Sequence, residues 1–155
     1  MTEMIQNIKI YLDDIRTPTD PSWIVVRNFD EFAAKVSEFG LESISEISLD
    51  HDLGDSAKSE YFRNTRLSSS INYENISEKT GYDAAKWLID HWHSANRTDE
   101  DAIREMRIKK NIGFPLVYTH SANPVGSANI MGYINNFLKN YHMPQNCVRV
   151  RIDHT

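Results

Sequence analysis

The chain predicts an α/β fold: one domain with a doubly wound, mostly parallel sheet of five strands. Three observations predict it. Apolar runs of strand character alternate with stretches of helical period, in the order β-β-α-β-α-β-α-β. Cap residues mark helical stretches, Asn28 and Gly40 at the two ends of one and Asn123-Pro124 at the start of another. Finally, three of the runs stop at acidic or histidine-bearing turns: Asp13-Asp14 after Ile8 to Leu12, Asp50-His51-Asp52 after Ile47 to Leu49, and His120-Ser121 after Leu116 to Thr119. Neighbouring parallel strands bring such turns to one sheet edge, outside the strands' carboxyl ends, where open α/β sheets bind ligands.

The elements follow in order. Ile8, Ile10 and Leu12 share one face of a first strand, and Trp23 to Arg27 is a short, β-rich second strand. About nine residues, Asp14 to Ser22, join them. A parallel crossover usually needs about a dozen or more, so either a crossover helix has shrunk to a loop or the second strand runs antiparallel. Arg16-Thr17-Pro18 and Asp20-Pro21 are poor helix material, which favours the loop. Asn28 is placed to cap a helix with Phe29, Phe32, Ala33 and Val36 in its stripe, ended by Gly40. Ile44 to Leu49 is the third strand. The next helix starts after Thr80, aligns Ala85, Leu88, Ile89 and Trp92, and ends before Arg97. Pro115 to Thr119 is the fourth strand. Asn123-Pro124 opens a helix with Ile130, Ile134, Phe137 and Tyr141 in line. The last strand alternates Val148, Val150 and Ile152 against Arg149 and Arg151, as an edge strand with one solvated face would.

Two segments break the pattern. Asp55 to Lys79 is polar, rich in Ser and Asn, and without sustained periodicity; it reads as an insertion at about 55–79 that is either a surface loop or a lid over the crevice. As a lid it would bring Lys58, Arg63 and Arg66 to a phosphate. Arg97 to Asn111 reads as charged surface.

Bulk properties narrow the function. One domain spanning 1–155 can bury a real core. A net charge of −5 argues against an extended nucleic-acid groove, though a single RNA end or a nucleotide needs only local positive charge. Cys147 is the single cysteine, so no intrachain disulfide forms. Met1 to Asn7 lacks signal-peptide blocks, and no apolar stretch nears the roughly 20 residues of a membrane span. A cytoplasmic protein is expected.

Convergence of the three turns implies divalent-metal and phosphate chemistry. Asp13, Asp14 and Asp50, with Asp52 assisting, offer hard oxygen ligands for Mg2+, and an imidazole in the shell would favour Mn2+. His120 and His51 have the pKa range to move protons to and from a phosphodiester. The run from His120 to Ser127 joins a strand end to a helix start, where free N–H groups favour an anion. Ser121, Asn123 and Ser127 could donate hydrogen bonds there, with Gly126 keeping the approach open. His91 and His93, two apart on a helix, do not face each other and read as packing residues. Trp23, Trp87 and Trp92 read as core.

These strand ends resemble those of the receiver domains of two-component signalling, in which the β1 acidic pair holds magnesium and the β3 aspartate accepts a phosphoryl group. More closely, four strings resemble the cyclic-phosphate processing receiver-like family: Leu12-Asp13-Asp14-Ile15-Arg16-Thr17-Pro18, Ser48-Leu49-Asp50-His51-Asp52-Leu53-Gly54, Gly81-Tyr82-Asp83-Ala84-Ala85-Lys86-Trp87-Leu88 and His120-Ser121-Ala122-Asn123-Pro124-Val125-Gly126. The resemblance implies a receiver-like (flavodoxin-like) fold acting on cyclic phosphates at RNA ends. The chain departs from ordinary receivers in three ways. Its last strand lacks their lysine, His120 stands at or beside their Thr or Ser, and the first crossover helix is missing. Arg16 could supply the lost positive charge.

The expected function is therefore a metal-dependent phosphodiesterase opening a 2′,3′-cyclic phosphate on an RNA 3′ end or a nucleotide. Asp13, Asp14 and Asp50 would hold the cation, His120 and His51 would exchange protons, and Ser121, Asn123 and the helix start would bind phosphate. The alternatives are a phosphoacceptor switch with Asp50 as nucleophile, and a noncatalytic binder of cyclic nucleotides.

Overall fold

The computed structural model describes residues 7–64, 71–95 and 113–154, apart from the side chains of 61–64. Five strands, β1 (Ile8–Leu12), β2 (Trp23–Val26), β3 (Ile44–Leu49), β4 (Leu116–Thr119) and β5 (Val148–Arg149), form one sheet in the order β2-β1-β3-β4-β5. Every pairing is parallel. This is the receiver-like order, and the chain reverses direction of growth between β1 and β3, where such sheets open their ligand crevice.

The first crossover is a loop. Arg27, immediately after β2, takes over part of what a helix would do: its Nη1 donates to the Asp13 and Arg16 carbonyls at 3.2 and 2.7 Å, and its Nη2 to Thr17 Oγ1 at 2.7 Å. One guanidinium thus satisfies a loop whose carbonyls have no helical partners. Asp20 closes the far end by accepting from Ser22 N and Oγ.

The helices α1 (Phe29–Phe39), α3 (Gly81–Ala95) and α4 (Pro124–Asn140) pack in series, α1 on α3 and α3 on α4. The sequence rules account for their ends. Asn28 and Asn123 cap α1 and α4, accepting from Glu31 N and Gly126 N, and Gly40 ends α1 at φ 84°. The core joins Ile10, Leu12, Ile47, Leu49 and Val117 of the sheet to Phe32, Val36, Leu88, Ile130 and Ile134 of the helices. Removing a side chain such as Phe32, fully buried there, costs about 3–5 kcal/mol. His91 stacks on Trp87, and His93 packs edge-on to Phe137, as packing residues do. Among the described residues no helix is long and apolar enough to cross a membrane.

Three expectations need correction. The stretch from Asp55 contains a helix, α2 (Asp55–Asn64). Among its described side chains Ala57 and Glu60 are the buried ones, and Glu60 accepts from Asn72 N at 3.0 Å and Asn75 Nδ2 at 2.9 Å. A helix that docks through a hydrogen-bonded carboxylate leaves no apolar stripe to read. Second, β5 is only Val148–Arg149 and both residues are exposed, so the strand itself has no buried face. Val148 is 46 % exposed, and the Arg149 Nη2 donates to the Ser121 carbonyl at 2.9 Å. Third, Tyr141 lies beyond the end of α4 and is exposed. The stretch 97–111 lies outside the described residues.

Candidate active site

The sheet register decides which side chains meet. Leu12 pairs with Leu49, and Leu49 with Thr119, so the next residues, Asp13, Asp50 and His120, stand level along the edge. Each closes the ladder with its own N–H: Asp13 to Val26 O, Asp50 to Leu12 O and His120 to Leu49 O, at 2.9–3.1 Å. Side chains one residue past a strand end keep a common direction, whereas their successors turn away. Asp13, Asp50 and His120 accordingly bring one ligand atom apiece within 4.8 Å of one another, and all three are buried. The group could hold a metal ion: two carboxylates and an imidazole make a sound donor set for a divalent cation.

Within the cluster the two carboxylates differ sharply. Asp13 Oδ1 accepts from Ile15 N and Arg16 N, and its Oδ2 from Arg16 Nε at 2.9 Å and His120 Nε2 at 3.1 Å. Burial pushes its carboxyl up, but these donors outweigh it and hold the pKa at about 2. Among the described residues the Asp50 carboxylate accepts only from His51 N at 2.9 Å, with Arg16 Nη2 at 3.5 Å from the same oxygen. Burial, then the Asp13 charge, push it up to about 7, and Arg16 offsets only part. The Arg16 guanidinium thus spans the two acids and neutralises the centre from within. His120 stacks on the Tyr11 ring at 4.2 Å, and burial keeps its imidazole below the usual range despite Asp13. A neutral ring suits both contacts, with Nε2 at 3.1 Å from Asp13 Oδ2 and Nδ1 at 2.7 Å from Ser48 Oγ. The Nε2–H tautomer donates to Asp13, and the Nδ1–H tautomer donates to Ser48 and leaves the Nε2 lone pair for a cation.

The other residues singled out in the sequence lie around this centre with different partners. Asp14 stands outside the trio, its Oδ2 bound to Lys58 Nζ of α2 at 2.9 Å. Lys58 does reach the crevice; Arg66 and the Arg63 side chain lie outside the described residues. His51 is fully buried, with Nδ1 at 2.6 Å from Asp52 Oδ1 and Nε2 at 2.8 Å from the Tyr73 hydroxyl. Tyr73 belongs to a one-turn helix, Tyr73–Asn75, of the insertion, which therefore docks on the crevice at Lys58 and again at Tyr73. Asp52 also accepts from Asn123 Nδ2, at 3.2 Å.

The helix start after β4 is internally satisfied rather than open. Asn123 N donates to Ser121 Oγ, Gly126 N to Asn123 Oδ1, and Ser127 N to Asn123 O. Ser127 Oγ pairs with Thr119 Oγ1, fully buried. Gly126 makes room for an imidazole, not an anion: a Cβ there would stand 2.3 Å from His51 Cγ. Gly81 has a parallel task, since its Cβ would fall 1.9 Å from the Asp50 carbonyl oxygen.

Positive charge comes from elsewhere. A groove of about 790 Å³ opens beside the cluster, lined by Arg16, His120 and Ser121 on one side and by Arg149 to His154 on the other. His154 Nε2 meets the Tyr11 hydroxyl, and burial holds its imidazole below the usual range. Sequence reading left Arg149, Arg151 and His154 out of the site because it placed the arginines on a solvated strand face; they are exposed, but that exposed edge borders the groove.

No curated protein and no solved structure matches the chain. The family described as the cyclic-phosphate processing receiver domain matches residues 8–136. That span runs from the first residue of β1 into the last turns of α4 and takes in Asp13, Asp50 and His120 together with the four sequence strings that resembled the family. The chain belongs to the cyclic-phosphate processing receiver domain family.

Proposed function

We propose that the protein hydrolyses a 2′,3′-cyclic phosphate on an RNA 3′ end or a nucleotide, with a divalent cation held by Asp13, Asp50 and His120. One observation carries the reading: His120 of the acidic and imidazole cluster, and Arg16 that spans its two acids, line a groove together with Arg149 and Arg151. Carboxylates alone repel a phosphate; beside a cation and guanidinium groups they help to bind one. Oxygen donors suit magnesium, and the imidazole tilts the set toward manganese. A bound ion would supply Lewis-acid polarisation of a phosphoryl oxygen.

The chain's own residues do the rest. With an ion held by Asp13, Asp50 and His120, the Arg16 guanidinium would be free to donate to nonbridging phosphate oxygens as negative charge builds there. His154 faces the groove with a neutral ring and accepts a proton from the attacking water. The water oxygen bonds to phosphorus, one P–O bond of the ring breaks, and the departing ribose oxygen takes a proton from solvent in the open groove. His51, walled in by Asp52 and Tyr73, positions the Asp50 turn.

The test is a panel of 2′,3′-cyclic and 3′,5′-cyclic nucleotides and cyclic-ended oligoribonucleotides, assayed with magnesium, manganese or chelator. Cleavage confined to 2′,3′-cyclic ends and abolished by chelator is expected; no turnover of any member ends the proposal. A second reading, phosphoryl transfer to Asp50, draws support from the Asp50 oxygen that carries no hydrogen bond among the described residues and from Lys58 in the crevice. A labile mass adduct from a small phosphodonor, lost in Asp50→Asn, would favour it.

A further inference from the structure

The far wall of the groove, Arg149 to His154, lies beyond residue 136, where the family match stops. It is anchored rather than trailing. Val150 N donates to Thr119 O at 2.8 Å, Thr19 N donates to Asp153 O at 2.9 Å, and His154 bridges to Pro18. Arg149 spends one N–H on the Ser121 carbonyl and keeps others for a ligand. Neither Arg149 nor Arg151 forms an ion pair among the described residues, although acids outnumber bases in the chain. Two guanidinium groups on an anchored backbone and without a carboxylate partner among the described residues, one of them tethered through Arg149 Nη2, suit a phosphate, which they can bind through paired hydrogen bonds. The groove is also larger than one phosphate requires. Its volume falls in the range of roughly 300–1,000 Å³ typical of small-molecule sites, and Ala122, Val150 and Ile152 line it with apolar surface.

We propose that Arg149 and Arg151 bind a second phosphate of the substrate, one nucleoside away from the reacting cyclic phosphate, with Arg16 and His120 facing the first. This inference rests on the cyclic-phosphate reading and narrows its substrate class: the preferred substrate carries a phosphate on the 5′ side of the terminal ribose. That phosphate comes either from a 5′-monoester on a free nucleotide or from the internal diester of an RNA strand.

Binding separates this inference from turnover. Calorimetry in the presence of manganese would compare a nucleoside 3′-phosphate, the matching 3′,5′-bisphosphate and a dinucleotide with a 3′-terminal phosphate. A second phosphate should tighten binding by roughly tenfold or more, the size of a charge-assisted contact. Arg151→Gln should erase that ratio, whereas Lys139→Gln, an exposed charge on α4, should leave it. Gain with the bisphosphate alone assigns the groove to a free nucleotide, and gain with the dinucleotide alone assigns it to a strand. Equal binding of all three ligands, or a ratio that survives Arg151→Gln, overturns the inference. Absence of cleavage would refute the hydrolytic reading while these ratios still judge the groove.

Discussion

His51 and His120 both follow an apolar strand at the ligand-binding edge, yet the fold treats them oppositely. His120 is the first residue past β4; its Nε2 reaches Asp13 and its ring borders the groove. His51 is the second residue past β3, so its ring turns away from the trio. It lies against Gly126, with one nitrogen on Asp52 and the other on Tyr73. One residue of phase separates an imidazole that can touch a ligand from one that holds two turns together. The carboxylates repeat the lesson: Asp13, with four donors, sits at about 2, and Asp50, with one close donor, at about 7. Identity of side chain says little here; the count of donors aimed at it says a great deal.

The contrast can be broken most directly by alanine at each histidine. His120→Ala should lower turnover of a 2′,3′-cyclic nucleotide by about 10²–10⁴-fold with the fold retained. His51→Ala should instead cost roughly 3–5 kcal/mol of stability, because Asp52 stays buried with Asn123 as its remaining partner. Steady-state kinetics and urea melts on both proteins read the two effects, and equal losses of activity at equal stability would dissolve the distinction. A milder probe fills the space around His51: Gly126→Ala puts a methyl into that ring and should cost about 1–3 kcal/mol in the same melts.

The smallest effect, per pH unit, tests the carboxylate pair. Asp50 titrates at about 7 when folded and near the ordinary aspartate value of about 3.9 when unfolded, so between those limits the native state binds more protons. Its contribution to stability therefore falls as pH rises from about 4 to about 7, by at most about 1.4 kcal/mol per pH unit. Asp13 acts oppositely: its contribution is present above the ordinary aspartate range and is lost as pH falls toward about 2. Urea midpoints of wild type and Asp50→Asn, measured with chelator from pH 4 to 7, should converge as pH falls. Parallel curves would remove the claim that Asp50 is the under-compensated acid. Manganese at pH 7 should raise the wild-type midpoint, because an ion that binds only the folded cluster stabilises it by mass action.

Most of the scaffold was legible because its signals are local. Alternating apolar runs marked all five strands, and Asn28, Gly40, Asn123 and Pro124 marked helix ends through their own backbone chemistry. The α2 helix was not legible, because Glu60 docks it through hydrogen bonds and no apolar stripe announces it. Nor was Arg27, whose three contacts with the β1–β2 loop depend on a loop path that no local pattern encodes. The run from His120 to Ser127 had the composition of a phosphate cradle, but the Ser121 and Asn123 side chains accept the Asn123 and Gly126 N–H groups, and only the folded backbone reveals that.

What the chain's order of residues determined alone is that Asp13, Asp50 and His120 each begin the turn after a parallel strand, because strand ends follow from hydrophobic period and turn chemistry. That they stand level was decided by register, Leu12 beside Leu49 beside Thr119, pairings between residues 37 and 70 positions apart. Tertiary structure likewise decided that a guanidinium spans the two acids, that His51 is enclosed, and that the exposed Arg149 and Arg151 line a groove. Each of these depends on which groups lie across space from one another, and local periodicity carries no information about that.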